Sequence, residues 1–364
     1  MKFEAAKDVL LKNIQVVENA VSAKTSLPIL SNILLEAEDD AVVLTGTDLD
    51  VGIISSIPIK PTIKGSITIP AKKFLDIIKE LPQLNISVSV KKNNVVWVEC
   101  GKSVFKIIGL TKEEFPQLPE TKNKNFICLR QKQLKRMLEM VSFAMSRDET
   151  RYVLNGVLFV IKPSSIKLIA TDGRRLAITE NEGQFQNTDQ TKAIVPTKAA
   201  QELIRILSDE GEARISFSEN QAIFDLGQTK LISRLVEGEF PAYEQVVPKE
   251  AKDAAVVSRE AFLASARRAG LFSSQDSMAI KMELTKDRLV MSKTTPYLGE
   301  VKEELDIEYK GKDITIGFNP QYLIDVLRVV DMESVNFEVT DADKPGVIRI
   351  GKEYTYVVLP MQLG

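Results

Sequence analysis

The 364-residue sequence contains no histidine. That removes the commonest general acid–base side chain and the commonest transition-metal ligand. Cysteine is nearly absent as well. Cys100 and Cys128 stand far apart with no Cys-x-x-Cys spacing, so no metal site and no cofactor is expected, and both thiols are read as free, small, buried apolar residues. No apolar run approaches the roughly 20 residues that cross a bilayer, and no basic head with an apolar core opens the chain. A cytoplasmic protein with no membrane partner is expected. Charge of one sign is missing too: 48 Lys and Arg balance 50 Asp and Glu, for a net charge of −2 and a pI near 5.7. That balance argues against a generic nucleic-acid binder. What remains, 44% hydrophobic and 27% charged, is the composition of an ordinary globular protein.

The chain repeats itself three times, with a period of roughly 125 residues. TIPAKKFLDIIKEL at 68–81, AIVPTKAAQELIRIL at 193–207 and TIGFNPQYLIDVLRVV at 315–330 each read as a short strand, a proline turn and an amphipathic helix. Earlier in each unit, 3–17, 127–144 and 255–272 are helix-like after an extended start. FKIIGLTKEEFPQLP (105–119), LISRLVEGEFPAYEQVVP (231–248) and YVVLPMQL (356–363) recur near the ends. In the first unit the pattern predicts a helix over 4–18, strands over 28–36, 41–46, 51–59 and 66–69, and a second helix over 71–82 whose Phe74, Ile77, Ile78 and Leu81 form the buried stripe. Alternation then marks strands at Ile86, Val88 and Val90, at Ile215 and Phe217, and at Val335, Phe337 and Val339. The fold class is α+β: three tandem similar domains, each two helices packed on β-sheets, over 1–122, 123–251 and 252–364. Boundaries are expected near 120–127 and 248–254, where the sequence turns polar and lysine-rich.

Charge is unevenly placed. The predicted helices 4–18, 71–82, 130–145, 197–207, 258–271 and 319–330 carry 15 Lys and Arg against 9 Asp and Glu, so the rest of the chain is acidic. Helix 130–145 buries Leu134, Met137, Leu138 and Val141 and turns Lys132, Lys135 and Arg136 away, while Arg267 and Arg268 project from helix 258–271. Basic helices on an acidic body suit a polyanion held at one surface; an ordinary solvated helix face explains the same count. GKS at 101–103 lacks the P-loop glycine, since Val96 stands five positions upstream, so it is read as a turn, as are GKD (311–313) and GKE (351–353). Asp48, Asp50 and Asp172 follow apolar strands as a hydrolytic pair would, but TGTDLDV (45–51) and ATDGRRLAI (170–178) are copies of each other, and Thr-Asp-Gly favours a side-chain-bonded turn. An enzyme would need a carboxylate cluster unique to one repeat, and none is present. A protein-only scaffold is the remaining alternative.

SLPILSNILLEA at 26–37, LTGTDLDV at 44–51, RYVLNGVLF at 151–159, ATDGRRLA at 170–177, FPAY at 240–243 and the terminal YVVLPMQL together resemble the bacterial DNA polymerase III beta subunit family, the sliding clamps, over essentially the whole chain. The resemblance implies the DNA clamp fold and a head-to-tail homodimer whose six domains form a ring around double-stranded DNA without sequence specificity. It implies no catalysis and no cofactor. DNA polymerase III alpha subunit, the clamp loader delta subunit and other proteins with a clamp-binding motif would dock through a short peptide.

By the same resemblance, Lys24, Lys79, Tyr152 and Lys198 would contact DNA. Val153 and Asp148 stand where relatives carry a second tyrosine or a glutamine, and the acid would weaken DNA contact. The partner groove between the second and third units would comprise Leu154, Thr171, Gly173, Arg174, Arg175, Leu176, Pro241, Val246, Asn319, Tyr322, Val357, Leu359, Pro360 and Met361, holding a peptide at roughly micromolar strength. The chain departs from the family pattern at Arg174, Gln245, Ser277 and Gln362, which would alter the peptide preference. At the ring joint, Lys73, Lys102, Phe105 and Ile107 of the first unit would meet Leu271, Phe272, Glu300, Glu303 and Glu304 of the third.

Overall fold

The computed structural model describes residues 1–22, 27–118, 126–185, 190–249, 254–274 and 277–363. Six α-helices occur among them: α1 (Lys7–Glu18), α2 (Ala71–Glu80), α3 (Gln131–Ser142), α4 (Thr197–Ile206), α5 (Arg259–Gly270) and α6 (Pro320–Val329). Each coincides with one of the six predicted helices, but α1 starts late. Residues Lys2–Ala6 form a strand, because Phe3 and Ala5 alternate inward and pair with Val88 and Ile86. Strand 28–36 is likewise shortened, since Pro28–Ser31 forms a 3-10 turn before the strand Asn32–Ala37. The buried face of α2 is Ala71, Phe74, Leu75 and Ile78, with Ile77 only half-buried.

Equivalent side chains tie the two helices of a repeat together. Lys7 opens α1 and donates to Lys79 O at 2.8 Å and to Leu81 O, carbonyls at the end of α2 that no intrahelical donor reaches. Arg259 opens α5 and donates to Leu327 O and Met332 O at 3.2 and 3.1 Å. Gln131 opens α3 and accepts from Ser208 N at 3.0 Å, just past α4.

The strands form two four-stranded and two eight-stranded antiparallel sheets. One eight-stranded sheet runs Gly65–Pro70, Asn32–Ala37, Val42–Thr47, Val51–Ile57, Thr229–Arg234, Gln221–Asp225, Glu212–Phe217, Ile127–Arg130. The other runs Thr191–Pro196, Gly156–Lys162, Ser165–Thr171, Arg175–Glu182, Tyr354–Val358, Gly346–Ile350, Ser334–Glu338, Ala254–Ser258. Both are continuous across a junction of repeats, and the register at the two junctions is the same: Ile232 faces Gly52 in the first, Val357 faces Leu176 in the second. Compactness therefore follows the sheets. One body comprises Met1–Lys135 with Lys198–Leu235, the other Arg136–Thr197 with Val236–Gly364, so the middle repeat is shared between them. Of the expected boundary segments, 120–125 and 250–253 lie outside the described residues.

Cys128 corrects the expectation of two buried thiols. Cys100 is buried, but Cys128 is exposed, on the outward face of Ile127–Arg130, where Ile127 and Leu129 take the inward positions. Among the described residues no helix is long and apolar enough to cross a membrane.

Candidate functional site

Thr171-Asp172-Gly173 links two strands through a turn built by its own side chains. Asp172 Oδ1 accepts from Arg174 N (2.9 Å) and Arg175 N (3.0 Å), Thr171 Oγ1 donates to Arg175 O (2.5 Å), and Gly173 N donates to Thr171 Oγ1 (3.0 Å). Thr47-Asp48-Leu49 repeats the arrangement, with Asp48 Oδ1 accepting from Asp50 N and Val51 N at 3.1 and 2.8 Å. These aspartates therefore serve as turn acceptors. The turn needs a residue at positive φ, which Gly173 adopts at 84° and Leu49 at 82°. Glycine accepts this at no steric cost, whereas leucine is strained there.

The turn at Gly173, against which Arg151 lies with Nη1 donating to Asp172 O at 3.4 Å, borders a cleft of about 150 Å3, lined by Leu154, Thr171, Gly173, Arg174, Arg175, Leu176, Pro241, Ala242, Tyr243, Val246, Val357 and Leu359. Its floor is the outer face of the sheet, where Leu176 and Val357 pair. The chain from Val236 to Val247 lies over the same face through Val236, Phe240, Tyr243 and Val247, and Phe240 meets Tyr243 edge to face at 6.5 Å. Burial, then Glu244, pushes the Tyr243 hydroxyl up to about 12, so it stays a neutral group.

Arg175 anchors the cleft from beneath. It is 10% exposed. Nε donates to Asp172 Oδ2 at 3.0 Å, Nη1 to Asp325 Oδ2 at 2.6 Å and Nη2 to Phe143 O at 2.6 Å, while the guanidinium lies over the Tyr322 ring at 4.5 Å. Burial alone would push its pKa down, but the Asp325 hydrogen bond and the surrounding negative groups hold it above the ordinary value. The buried charge is thus fully paired, and it fixes the turn relative to α6.

The equivalent junction in the first body is closed. Leu49 replaces Gly173, 47% exposed. Arg234 donates its N–H to Asp50 O at 2.8 Å, as Leu359 does to Arg174 O at 2.9 Å, and its side chain comes within 4.0 Å of the Asp50 carboxylate. Leu118 covers Gly52, at the position equivalent to Leu176. Similar folding thus leaves an apolar cleft at one junction and a charged, filled surface at the other.

Ten of the fourteen groove residues expected from the sequence line this cleft. Asn319, Tyr322, Pro360 and Met361 do not. Asn319 caps α6 by accepting from Gln321 N at 2.9 Å, Tyr322 stacks on Arg175, and Met361 N donates to Gly317 O at 2.8 Å. Ala242 and Tyr243 line the cleft and were not expected; their segment has no periodicity to mark a face.

Among the described residues, Ser103–Ile108 and Gly299–Asp306 each end a four-stranded sheet with no strand paired on the outer side. Ile108 is 76% exposed, with Val104 and Phe105 also exposed. Ile107, expected at the joint, points inward and is 7% exposed, because strand alternation puts it in its own core. Lys73, Lys102, Leu271, Glu300 and Glu304 are exposed and Phe272 half-buried. Glu303 is held by Arg268 (Nε to Oε1 2.9 Å) and Ser265, and Glu304 lies 3.5 Å from Arg288. An unpaired edge of this length is a template for another strand.

Three family profiles cover the chain in order: the DNA polymerase III beta subunit N-terminal domain over residues 1–119, the central domain over 128–242 and the C-terminal domain over 244–362. The chain belongs to the DNA polymerase III beta subunit family. Similar proteins include the beta sliding clamps of Chlamydia pneumoniae (33% identical, over 100% of this chain and 99% of the relative) and Pseudomonas putida (34%, 100% of both). Among solved structures, the Pseudomonas aeruginosa clamp bound to griselimycin matches with a TM-score of 0.95 at 33% identity, and the Bacillus subtilis clamp with 0.94 at 29%, each over 100% of both chains. The function is that of a sliding clamp, a non-catalytic processivity factor of DNA replication.

Of the DNA residues expected from this family, Lys24 lies outside the described residues. Lys79 and Tyr152 are exposed. Lys198 is already engaged: Nζ lies 2.5 Å from Asp48 Oδ2 and 3.4 Å from Ala20 O. Asp148 is also in use, accepting from Thr150 N (3.0 Å) and Thr150 Oγ1 (2.7 Å), bonds that hold its carboxyl below the usual range. It remains an exposed anion four residues before Tyr152. Asp148→Gln is expected to tighten association with duplex DNA about twofold at low salt, by removing one repulsion. Equal or weaker binding in a salt titration would sink that expectation.

Proposed function

We propose that two copies of this chain join head to tail into a ring that encircles duplex DNA in the cytoplasm and holds the replicative polymerase and other partners through a linear peptide in the Gly173–Leu359 cleft. On this reading the domains are 1–122, 123–251 and 252–364. Lys24, Lys79, Tyr152 and Lys198 face DNA, Lys198 after exchanging Asp48 for phosphate. Polymerase alpha and the loader's delta subunit compete for the cleft.

The observation that carries the ring is the repeated junction. In both continuous sheets the last strand of one repeat's first half pairs with the last strand of the following repeat's second half. The strands left over, Ser103–Ile108 and Gly299–Asp306, are the same two kinds of strand. Carrying the common register across places Lys106 opposite Glu300 of the partner subunit, Phe105 opposite Val301 of the partner subunit and Ile108 opposite Leu298 of the partner subunit. Opposite charges then face each other beside an apolar pair. The joint is head to tail, and its use twice between two copies closes the assembly.

The test is retention on nicked circular DNA, after loading by a matched loader, before and after linearisation. A ring stays on circles and slides off ends. Equal retention on both, with steep salt dependence, would mean binding by contact and would overturn encirclement.

A further inference from the structure

A second hollow, of about 470 Å3, lies on the same outer sheet face as the cleft and shares Tyr243 with it as a wall. Its character is opposite. Five lysines line it: Lys162, Lys167, Lys192, Lys249 and Lys352. Three carboxylates, Glu180, Glu244 and Glu353, stand among them, and Glu180 is already bound to Lys167 at 2.8 Å. Among the described residues no carboxylate lies within ion-pair distance of Lys162, Lys192, Lys249 or Lys352, all of them exposed. The strands set the distance between the two hollows. Leu176 and Val357 floor the cleft, Ile178 and Thr355 floor the near end of the hollow two residues along, and Glu180 and Glu353 its far end. At about 3.3 Å per residue the separation is about 7–13 Å, the span of two to four extended residues.

We propose that the lysine hollow receives an acidic flank of the same peptide whose apolar anchor fills the cleft. The inference rests on the cleft being a peptide site. Continuity through Tyr243 and the excess of lysine over carboxylate favour this occupant. A flank of two or three acidic residues, set two to four positions from the anchor, would select among partners by charge while the cleft supplies the common affinity.

The experiment uses the intact dimer and three fluorescent peptides with one common pair of large apolar anchor residues and a flank of glutamate, glutamine or lysine, followed by anisotropy. The glutamate-flanked peptide is expected to bind about five- to tenfold tighter than the glutamine-flanked one at low salt, with the lysine-flanked one weakest. The difference should vanish in the combined Lys162→Gln, Lys192→Gln, Lys249→Gln, Lys352→Gln variant, in which the glutamine-flanked peptide binds unchanged. Equal binding of all three to the unaltered dimer overturns the inference and leaves the cleft reading intact. No binding of any peptide overturns the cleft reading as well. Saturable binding of inorganic tripolyphosphate, lost in the variant and unaccompanied by a flank effect, assigns the hollow to a small anion and overturns the proposal.

Discussion

Arg175→Leu is expected to lower the unfolding free energy of its half of the chain by about 3 kcal/mol, the lower end of what removing one partner of a buried ion pair costs. The guanidinium is 10% exposed and its two carboxylate partners 17–18%, so some water reaches the site and the larger values do not apply. Three groups lose their donor together: Asp172, Asp325 and the Phe143 carbonyl. Leucine fills the stem volume but satisfies none of them. Arg175→Lys keeps the charge and loses the fork, so it should recover about half. Because Asp172 also forms the Gly173 turn, the leucine variant should bind a cleft peptide about tenfold more weakly even while folded. Urea unfolding is the measurement. A loss below about 1 kcal/mol would mean that the carboxylates find water instead, and that Arg175 does not hold the turn.

That network shows how far the sequence could be read. The Thr-Asp-Gly turn was visible, because aspartate two residues before a backbone N–H closes locally and its copy at Thr47-Asp48-Leu49 repeats the spacing. The helices were visible too, through proline turns and apolar stripes repeated three times. Asp325, 150 residues from Arg175, carried no signal, since nothing local pairs them. Lys198 and Asp48 are as far apart, which is why a lysine read as free for DNA is bound in the fold. Continuity of the sheets across repeats was equally hidden. Each repeat predicts its own strands, and only register decides that Ile232 lies on Gly52 and Val357 on Leu176. Ile107 was assigned to the joint where Ile108 is the exposed residue. Apolar residues stand at both positions, and a shift of one residue turns a strand side chain to the other face.

Lys106→Pro tests the ring joint while leaving the protomer's strand ladder intact, at the loss of one contact, Lys106 Nζ over the Trp97 ring at 4.1 Å. Within Ser103–Ile108 the backbone alternates: Gly109 N donates inward to Asn94 O, so 107 and 105 also bond inward and 106 and 108 point their N–H groups outward from the edge. The same phase holds at both internal junctions, where Arg234 N reaches Asp50 O and Leu359 N reaches Arg174 O. Proline at 106 therefore removes a backbone donor that the free protomer does not use, and that the proposed joint would give to Glu300 of the partner subunit. Losing this bond, with the ring pressed on the facing strand, costs about 1.5 kcal/mol at each of two joints. Together these raise the dimer dissociation constant about 100-fold. Sedimentation should show protomers at concentrations where the unaltered chain is dimeric, with the protomer's unfolding free energy lowered by no more than about 1 kcal/mol, the worth of the lost Trp97 contact. In the proposed joint the same register would make Phe105 and Val301 of the partner subunit a non-hydrogen-bonded pair with Cα atoms about 4.5 Å apart, within disulfide range. Phe105→Cys with Val301→Cys, in a Cys128→Ser background, should give a covalent dimer under mild oxidation, and Phe105→Cys with Lys302→Cys should not. A proline variant that stays dimeric, together with no cross-link from the first pair, would show that the chains join elsewhere.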